Sequence, residues 1–205
     1  MCKLSITNED NMDLMGRYED NHFDLAIIDP PYRNSKDNDM MPQTRKNIKK
    51  GRLKDWQNAP DKNFFDELIR VSKNQIIWGA NNFEFKFKGF IVWDKNIAFD
   101  MKFSMCEIAS VSEGLSTISK MVKIRSAGAE KRIHPTQKPV KLYEWILMNY
   151  AKKGDKILDT HLGSGSIAIA THNLGYDLTA CELDKEYYEA AIKRIEQHKQ
   201  QIRMF

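Results

Sequence analysis

The chain has few of the residues that staple small folds. Three cysteines, Cys2, Cys106 and Cys181, are scattered through 205 residues. An odd count without metal-ligand spacing argues against a disulfide framework or a zinc site, and for a reducing compartment. Long apolar runs are missing too: none approaches the roughly 20 residues of a transmembrane helix, and Met1 leads into a polar segment without a secretory signal layout. The cytoplasm is the expected location, with neither membrane nor metal as partner. Charge of one sign is not in large excess, and a net +4 cannot by itself establish a nucleic-acid partner. No internal repeat, low-complexity tract or linker divides the chain, and its length suits one domain with one core.

What is present is unevenly placed. Between Arg45 and Lys54, six of ten residues are Lys or Arg. They lie in a stretch, 33–60, without sustained periodicity. A loop that long in a compact domain is usually functional. Arg33, Arg45, Lys46, Lys49, Lys50 and Arg52 are therefore candidates for holding phosphates, although charge runs are often only a solvated face. A second basic group, Lys120, Lys123, Arg125, Lys131 and Arg132, falls in 114–133, where no clear pattern is visible.

Prolines are scarce, and two adjoin at the most informative point: Leu25-Ala-Ile-Ile28 runs into Asp29-Pro30-Pro31-Tyr32. The apolar run reads as a buried parallel strand. The prolines stop it and stiffen the chain beyond it. Asp29 and Tyr32 then stand at the carboxyl end of a strand, where open α/β sheets place their ligands. A carboxylate, two fixed carbonyls and an aromatic face make a pocket for a planar polar group.

Other elements are set by pattern. Lys3–Ile6 reads as a short strand, and 8–18 as a helix with Met12 and Met15 inward. Asp61 reads as an N-cap before a helix with Phe65, Leu68 and Ile69 on one face. Strands are expected over 74–83, ending in a glycine turn, over Gly89–Asp94, and within 103–113. His134 to Pro139 opens a helix with Val140, Tyr143, Ile146, Leu147 and Tyr150 on its apolar face. Trp78 and Trp93 read as core, and Asn81 as a candidate for one side of the cleft.

The second informative stretch begins at the strand Lys156–Asp159. It continues through Thr160, His161, Leu162, Gly163, Ser164, Gly165 and Ser166 into a helix with Ile167, Ala170 and Leu174 inward. Gly163 to Ala168 fits G-x-G-x-x-A between a strand and a helix, and Glu182 ends the next strand about 20 residues on. The glycines let a ligand approach the backbone, and Glu182 is placed to accept from two ribose hydroxyls, so a nucleoside-type cofactor is expected. Only 23 residues come after Glu182, so the remaining strands of the sheet must come from earlier residues, including those carrying Asp29, Trp78 and Trp93.

These stretches, in this order, resemble the amino-methyltransferases of DNA in the permuted (beta) group, where Asp-Pro-Pro-Tyr precedes the S-adenosylmethionine loop. The resemblance covers nearly the whole chain: Asp29 to Tyr32, Trp78 to Phe83, His134 to Pro139, Asp159 to Ser166, and Glu182. It implies a single Rossmann-like methyltransferase domain, a mostly parallel sheet with helices on both faces, and restriction-modification as a setting. The implied reaction is transfer of a methyl group from S-adenosylmethionine to N6 of adenine in DNA. Asp at the first motif position favours adenine over cytosine N4, whose enzymes more often carry Ser there. Asp29, Pro30, Pro31 and Tyr32 would form the catalytic site. Asp29, Gln137, Lys138, Asp159, His161, Gly163, Ser164, Gly165, Ser166 and Glu182 would line the cofactor side. The target base would be flipped out of the duplex, and a homodimer is expected because the group often dimerises.

Two departures stand out. His161 occupies a position where Phe is usual, and either packs against the cofactor as phenyl would or hydrogen-bonds through its ring to the cofactor or the substrate. The segment 114–133 is short for a dedicated recognition region, which makes the basic loop the leading alternative for DNA contact. Lys138 is open between a surface role and a cofactor contact. Competing readings are a cytosine-N4 or RNA enzyme, a nicotinamide oxidoreductase, which leaves Asp29 to Tyr32 unexplained, and a catalytically silent nucleic-acid-binding subunit.

Overall fold

In the computed structural model, residues 2–32, 59–97, 104–125, 132–134 and 136–202 are described. The loop candidates Arg33, Arg45, Lys46, Lys49, Lys50 and Arg52 lie outside them, as do Lys131 and Pro135.

The strands are β1 (Leu4–Thr7), β2 (Leu25–Ile28), β3 (Gln75–Trp78), β4 (Gly89–Asp94), β5 (Cys106–Val111), β6 (Lys120–Lys123), β7 (Lys156–Asp159) and β8 (Asp177–Cys181). They form one eight-stranded sheet in the order β1-β8-β7-β2-β3-β5-β4-β6. Only β5 runs against its neighbours, antiparallel to both β3 and β4. The sheet is mostly parallel, as expected. β2 and β3 are buried along their whole length, the pattern of strands covered on both faces.

Helices supply the covering layers. α1 (Asn11–Met15) and α2 (Lys62–Val71) pack on one face, with Leu14, Met15, Phe64, Phe65, Leu68 and Val71 against Ala26, Ile28 and Ile77. α3 (Val140–Tyr150), α4 (Ser166–Leu174) and α5 (Lys185–Ile202) cover the other, against Leu25, Ile27, Ile76 and Trp78. The architecture is a Rossmann-like α/β fold. Asp61 caps α2 through its carboxylate and the Phe64 N–H at 3.0 Å.

Three details differ from the sequence reading. The segment at 114–133 contains β6, an edge strand parallel to β4. Four residues carry too little periodicity to announce it. Met12 and Ile69 are exposed, at 39% and 40%, and Leu14, Phe64 and Val71 take the inward positions instead. Leu174 is 38% exposed, because the left-handed cap at Gly175 ends α4 there. Among the described residues, no helix is long and apolar enough to cross a membrane.

The chain order creates a switch point. From β2 the chain passes through α2 to β3 on one side, whereas β7 passes through α4 to β8 on the other. β2 and β7 are neighbours, so the crevice beyond their carboxyl ends is where such a sheet binds ligands. Asp29 comes directly after β2, and Asp159 ends β7.

Candidate active site

On the β7 side the backbone forms a cradle. Gly163 and Gly165 have φ of 52° and 72°, a left-handed region that disfavours a side chain. Gly165 has a packing reason as well: a Cβ there would press on Ile195 Cδ1 at 3.1 Å and Ala191 Cβ at 3.3 Å, both on α5. At Gly163 the atoms nearest a Cβ would be those of the His134 ring, 3.9 Å away, so no close packing constrains that position. Glu182 organises the turn, its Oε2 accepting the Gly163 N–H at 2.8 Å and its Oε1 the Asp184 N–H at 2.9 Å. The hydroxyls of Ser164 and Ser166 are 3.0 Å apart, and Arg194 donates to the Ser164 carbonyl at 2.7 Å and to Ser166 Oγ at 3.0 Å. Those serines therefore serve the loop's own structure. Arg194 was not singled out from sequence, since a basic residue on a long polar helix carries no distinguishing pattern.

Asp159 is 2% exposed and accepts the His161 N–H at 2.9 Å. Burial, reinforced by the neighbouring Asp29 and Glu182 carboxylates, pushes its carboxyl up to about 8 despite that bond. Such a group favours a cationic or hydrogen-bonding ligand. Glu182 is also raised, by burial against the backbone N–H groups it accepts from. The glycine backbone and the two acids, Glu182 and Asp159, could hold a polar ligand that donates hydrogen bonds or carries positive charge.

His161 sits edge-on to Phe64, with ring centroids 5.4 Å apart, and its nitrogens meet Asn11 Nδ2 at 3.3 Å and Thr160 Oγ1 at 2.9 Å. It both packs and hydrogen-bonds, with protein partners. Burial holds it neutral, its pKa lowered to about 4.

On the β2 side, Asp29 is enclosed. Its Oδ1 accepts the Tyr32 hydroxyl, and its Oδ2 lies 2.5 Å from Lys138 Nζ. Pro30, next in the chain, is buried. The Tyr32 ring lies on Gly79, whose φ is 76° and where any Cβ would overlap the ring. Lys138 is only 3% exposed, which decides against a surface role. Its ammonium also reaches the Tyr32 hydroxyl at 2.9 Å and Glu107 Oε2 at 3.0 Å, and lies 5.0 Å from the Trp78 ring centroid. Trp78 and Trp93 are core, as expected.

The charges determine one another. Burial pushes the Asp29 carboxyl up, while Lys138 pulls it back and Glu107 adds to the rise. For Lys138 burial works against the charge, but the two carboxylates win and hold its ammonium above the ordinary range. Glu107 stays below its usual value because Lys138 and Lys95 overcome its burial. Glu107 and Lys95 were missed from sequence. A charged residue inside the strand Cys106-Glu-Ile-Ala-Ser-Val111 was the available signal. Gln137 has its side-chain oxygen on the Ile133 N–H at 3.0 Å, which closes the turn that delivers Lys138. Asn81 lies in the 3-10 turn Ala80–Asn82 after β3 and is exposed. Among the described residues no cluster could hold a metal ion.

Known proteins resemble the chain in sequence over part of its length and in fold over most of it. Residues 112–193 match the family model described as DNA methylase, of the N6/N4 type. The Type II methyltransferase M2.DpnII of Streptococcus pneumoniae is 43% identical over 63 residues, 31% of this chain and 24% of that protein. The chain thus matches about a quarter of that relative's length. Among solved structures, the M1.HpyAVI–SAM complex superposes with a TM-score of 0.64 at 21% identity, covering 94% of this chain and 98% of the other. The cytosine-N4-specific PvuII DNA methyltransferase gives 0.65 at 12% identity, covering 98% and 93%. Over 112–193 the sequence is thus similar to the DNA methylases of the N6/N4 type, and the fold is similar to those of the two solved enzymes.

Proposed function

We propose that the protein methylates the exocyclic amino group of a base in DNA, N6 of adenine, using S-adenosylmethionine. The observation that carries this reading is the placement of Asp29, at the end of β2, beside the Gly163–Glu182 cradle at the end of the adjoining β7. That juxtaposition supports reading Asp29 as an amine acceptor beside a nucleoside site.

Gly163 and Glu182 would hold the cofactor's nucleoside and Asp159 its charged end, with His134 over the loop. When bound, the cofactor supplies an electrophilic methyl group on a sulfonium. An exocyclic amine conjugated to its ring is a poor nucleophile, and the protein's task is to restore its lone pair. Asp29 and the Pro30 carbonyl would accept its two N–H groups and draw the nitrogen toward tetrahedral geometry. The nitrogen would gain the methyl as its bond to sulfur breaks, and the resulting cationic amine would release one proton to solvent. To receive the amine, Asp29 must release a partner it holds at rest. The Tyr32 ring would cover the base, which is swung out of the duplex. No covalent nucleophile is needed, so the cysteines stand aside.

The single-domain organisation, the basic loop at 33–60 as the phosphate-holding element and a homodimer belong to the same proposal. So does a place in restriction-modification, prompted by the Type II relative. Expression in a methylation-free host, with genome-wide mapping of modified bases, tests it. A defined motif carrying N6-methyladenine is the expected result. N4-methylcytosine would overturn the choice of base, and an unmodified genome together with no labelling of DNA or RNA from tritiated cofactor would overturn the activity.

A further inference from the structure

Both oxygens of Asp29 are engaged at rest. Asp29 Oδ1 is taken by Tyr32 and Oδ2 by Lys138. A target amine needs one of those oxygens, and Lys138 is the stronger competitor because it is itself a charged primary amine. It cannot simply let go. An ammonium that is 3% exposed and loses its counter-charge leaves an uncompensated buried charge. The structure provides an alternative seat. Glu107 Oε2 is already 3.0 Å from Lys138 Nζ, and Glu107 Oε1 is fixed by Lys95 at 2.6 Å. Charges therefore alternate along Lys95, Glu107, Lys138 and Asp29. β5 is reversed relative to its neighbours, so its first residues stand at the ligand end of the sheet, with Glu107 opposite Trp93.

We infer that Glu107 is a positioning residue that retains the Lys138 ammonium when Asp29 turns to the target amine, so that one lysine neutralises Asp29 at rest without blocking it in the complex. This rests on the proposed amino-methylation. Lys95 keeps Glu107 from moving with the ammonium. The groups facing this array from other elements are Tyr32 from the β2 loop, Tyr143 on α3, Asp159 at the end of β7, and His134 before α3.

The test compares wild type, Glu107→Gln, Glu107→Asp and Lys138→Met as full chains. Single-turnover methyl transfer to DNA is measured with tritiated cofactor across pH. In Glu107→Gln the ammonium stays on Asp29, and the plateau rate falls on the order of 10- to 100-fold with cofactor affinity unchanged. Glu107→Asp recovers part of the rate and also serves if the amide variant folds poorly. The acid limbs separate positioning from a structural role. Removing the Glu107 charge favours ionisation of Asp29 and moves the limb to lower pH, whereas removing the Lys138 charge moves it to higher pH. An undiminished rate in Glu107→Gln, or limbs that stay put or move together, overturns the inference.

A second readout does not need activity. The 15Nζ resonance of Lys138 is titrated in ligand-free wild type, Glu107→Gln and Asp29→Asn. Each variant should lose the Lys138 proton at lower pH than wild type, and an unmoved titration in Glu107→Gln overturns the inference whatever the protein methylates. If the titration moves as expected but wild type labels no nucleic acid, the activity reading falls and the Glu107–Lys138 coupling stands.

Discussion

Replacing Gly79 with Ala should reach the active site through a single methyl group. Gly79 holds a φ of 76° and donates its N–H to the Ile108 carbonyl at 2.9 Å, which pins the turn after β3 against β5. A left-handed conformation penalises an L side chain by about 1–2 kcal/mol. The added Cβ would also overlap the Tyr32 ring. The ring must lift, and its hydroxyl leaves Asp29, losing a hydrogen bond to a charged group worth about 1.5–3 kcal/mol. The sum is roughly 3–5 kcal/mol. Urea unfolding of wild type, Gly79→Ala, Tyr32→Ala and the double variant separates the two parts. In the Tyr32→Ala background only the backbone strain remains, about 1–2 kcal/mol, so the cycle should show coupling of about 1.5–3 kcal/mol. Additivity within about 0.5 kcal/mol would refute the claim that Gly79 is there to seat Tyr32.

Further expectations concern the two halves of the crevice. Asp29→Ala should abolish methyl transfer while isothermal titration still detects cofactor binding; near-normal turnover would sink the assignment of Asp29. Glu182→Ala should weaken cofactor binding on the order of 10- to 100-fold, because the Gly163 and Asp184 N–H groups lose their common acceptor; unchanged affinity would remove Glu182 from the cradle. His161 is held neutral in the fold, its pKa lowered by burial from 6.5 to about 4. The unfolded chain therefore binds the extra proton in that window, and the stability His161 contributes is complete above about 6.5 and lost as pH falls toward about 4. His161→Phe should flatten the fall in unfolding free energy between neutral pH and that limit, and an equally steep fall would show that other groups carry it.

Much of the scaffold was legible because its signals are local. The apolar run before Asp29, the proline pair, the Gly163-Ser-Gly165 turn and the capping Asp61 each depend on residues within a few positions, and each lies where its pattern placed it. Local signals were weakest where an element is short or a face ambiguous. β6 has four residues, and Met12 and Ile69 sit at helix positions where one step of rotation separates core from solvent.

The sequence by itself determined most of the elements, the loops at Asp29 and Gly163 and their order, because strand, turn and cap chemistry act between near neighbours. Only the tertiary structure decided that Lys138 is an interior charge. The distinction between a surface lysine and a buried counter-ion rests on Asp29 and Glu107, which lie 109 and 31 positions away in the chain. They meet because the switch at β2 and β7 and the reversed β5 bring three loops to one end of the sheet. Electrostatic pairing falls off with distance in space, and distance along the chain does not report it.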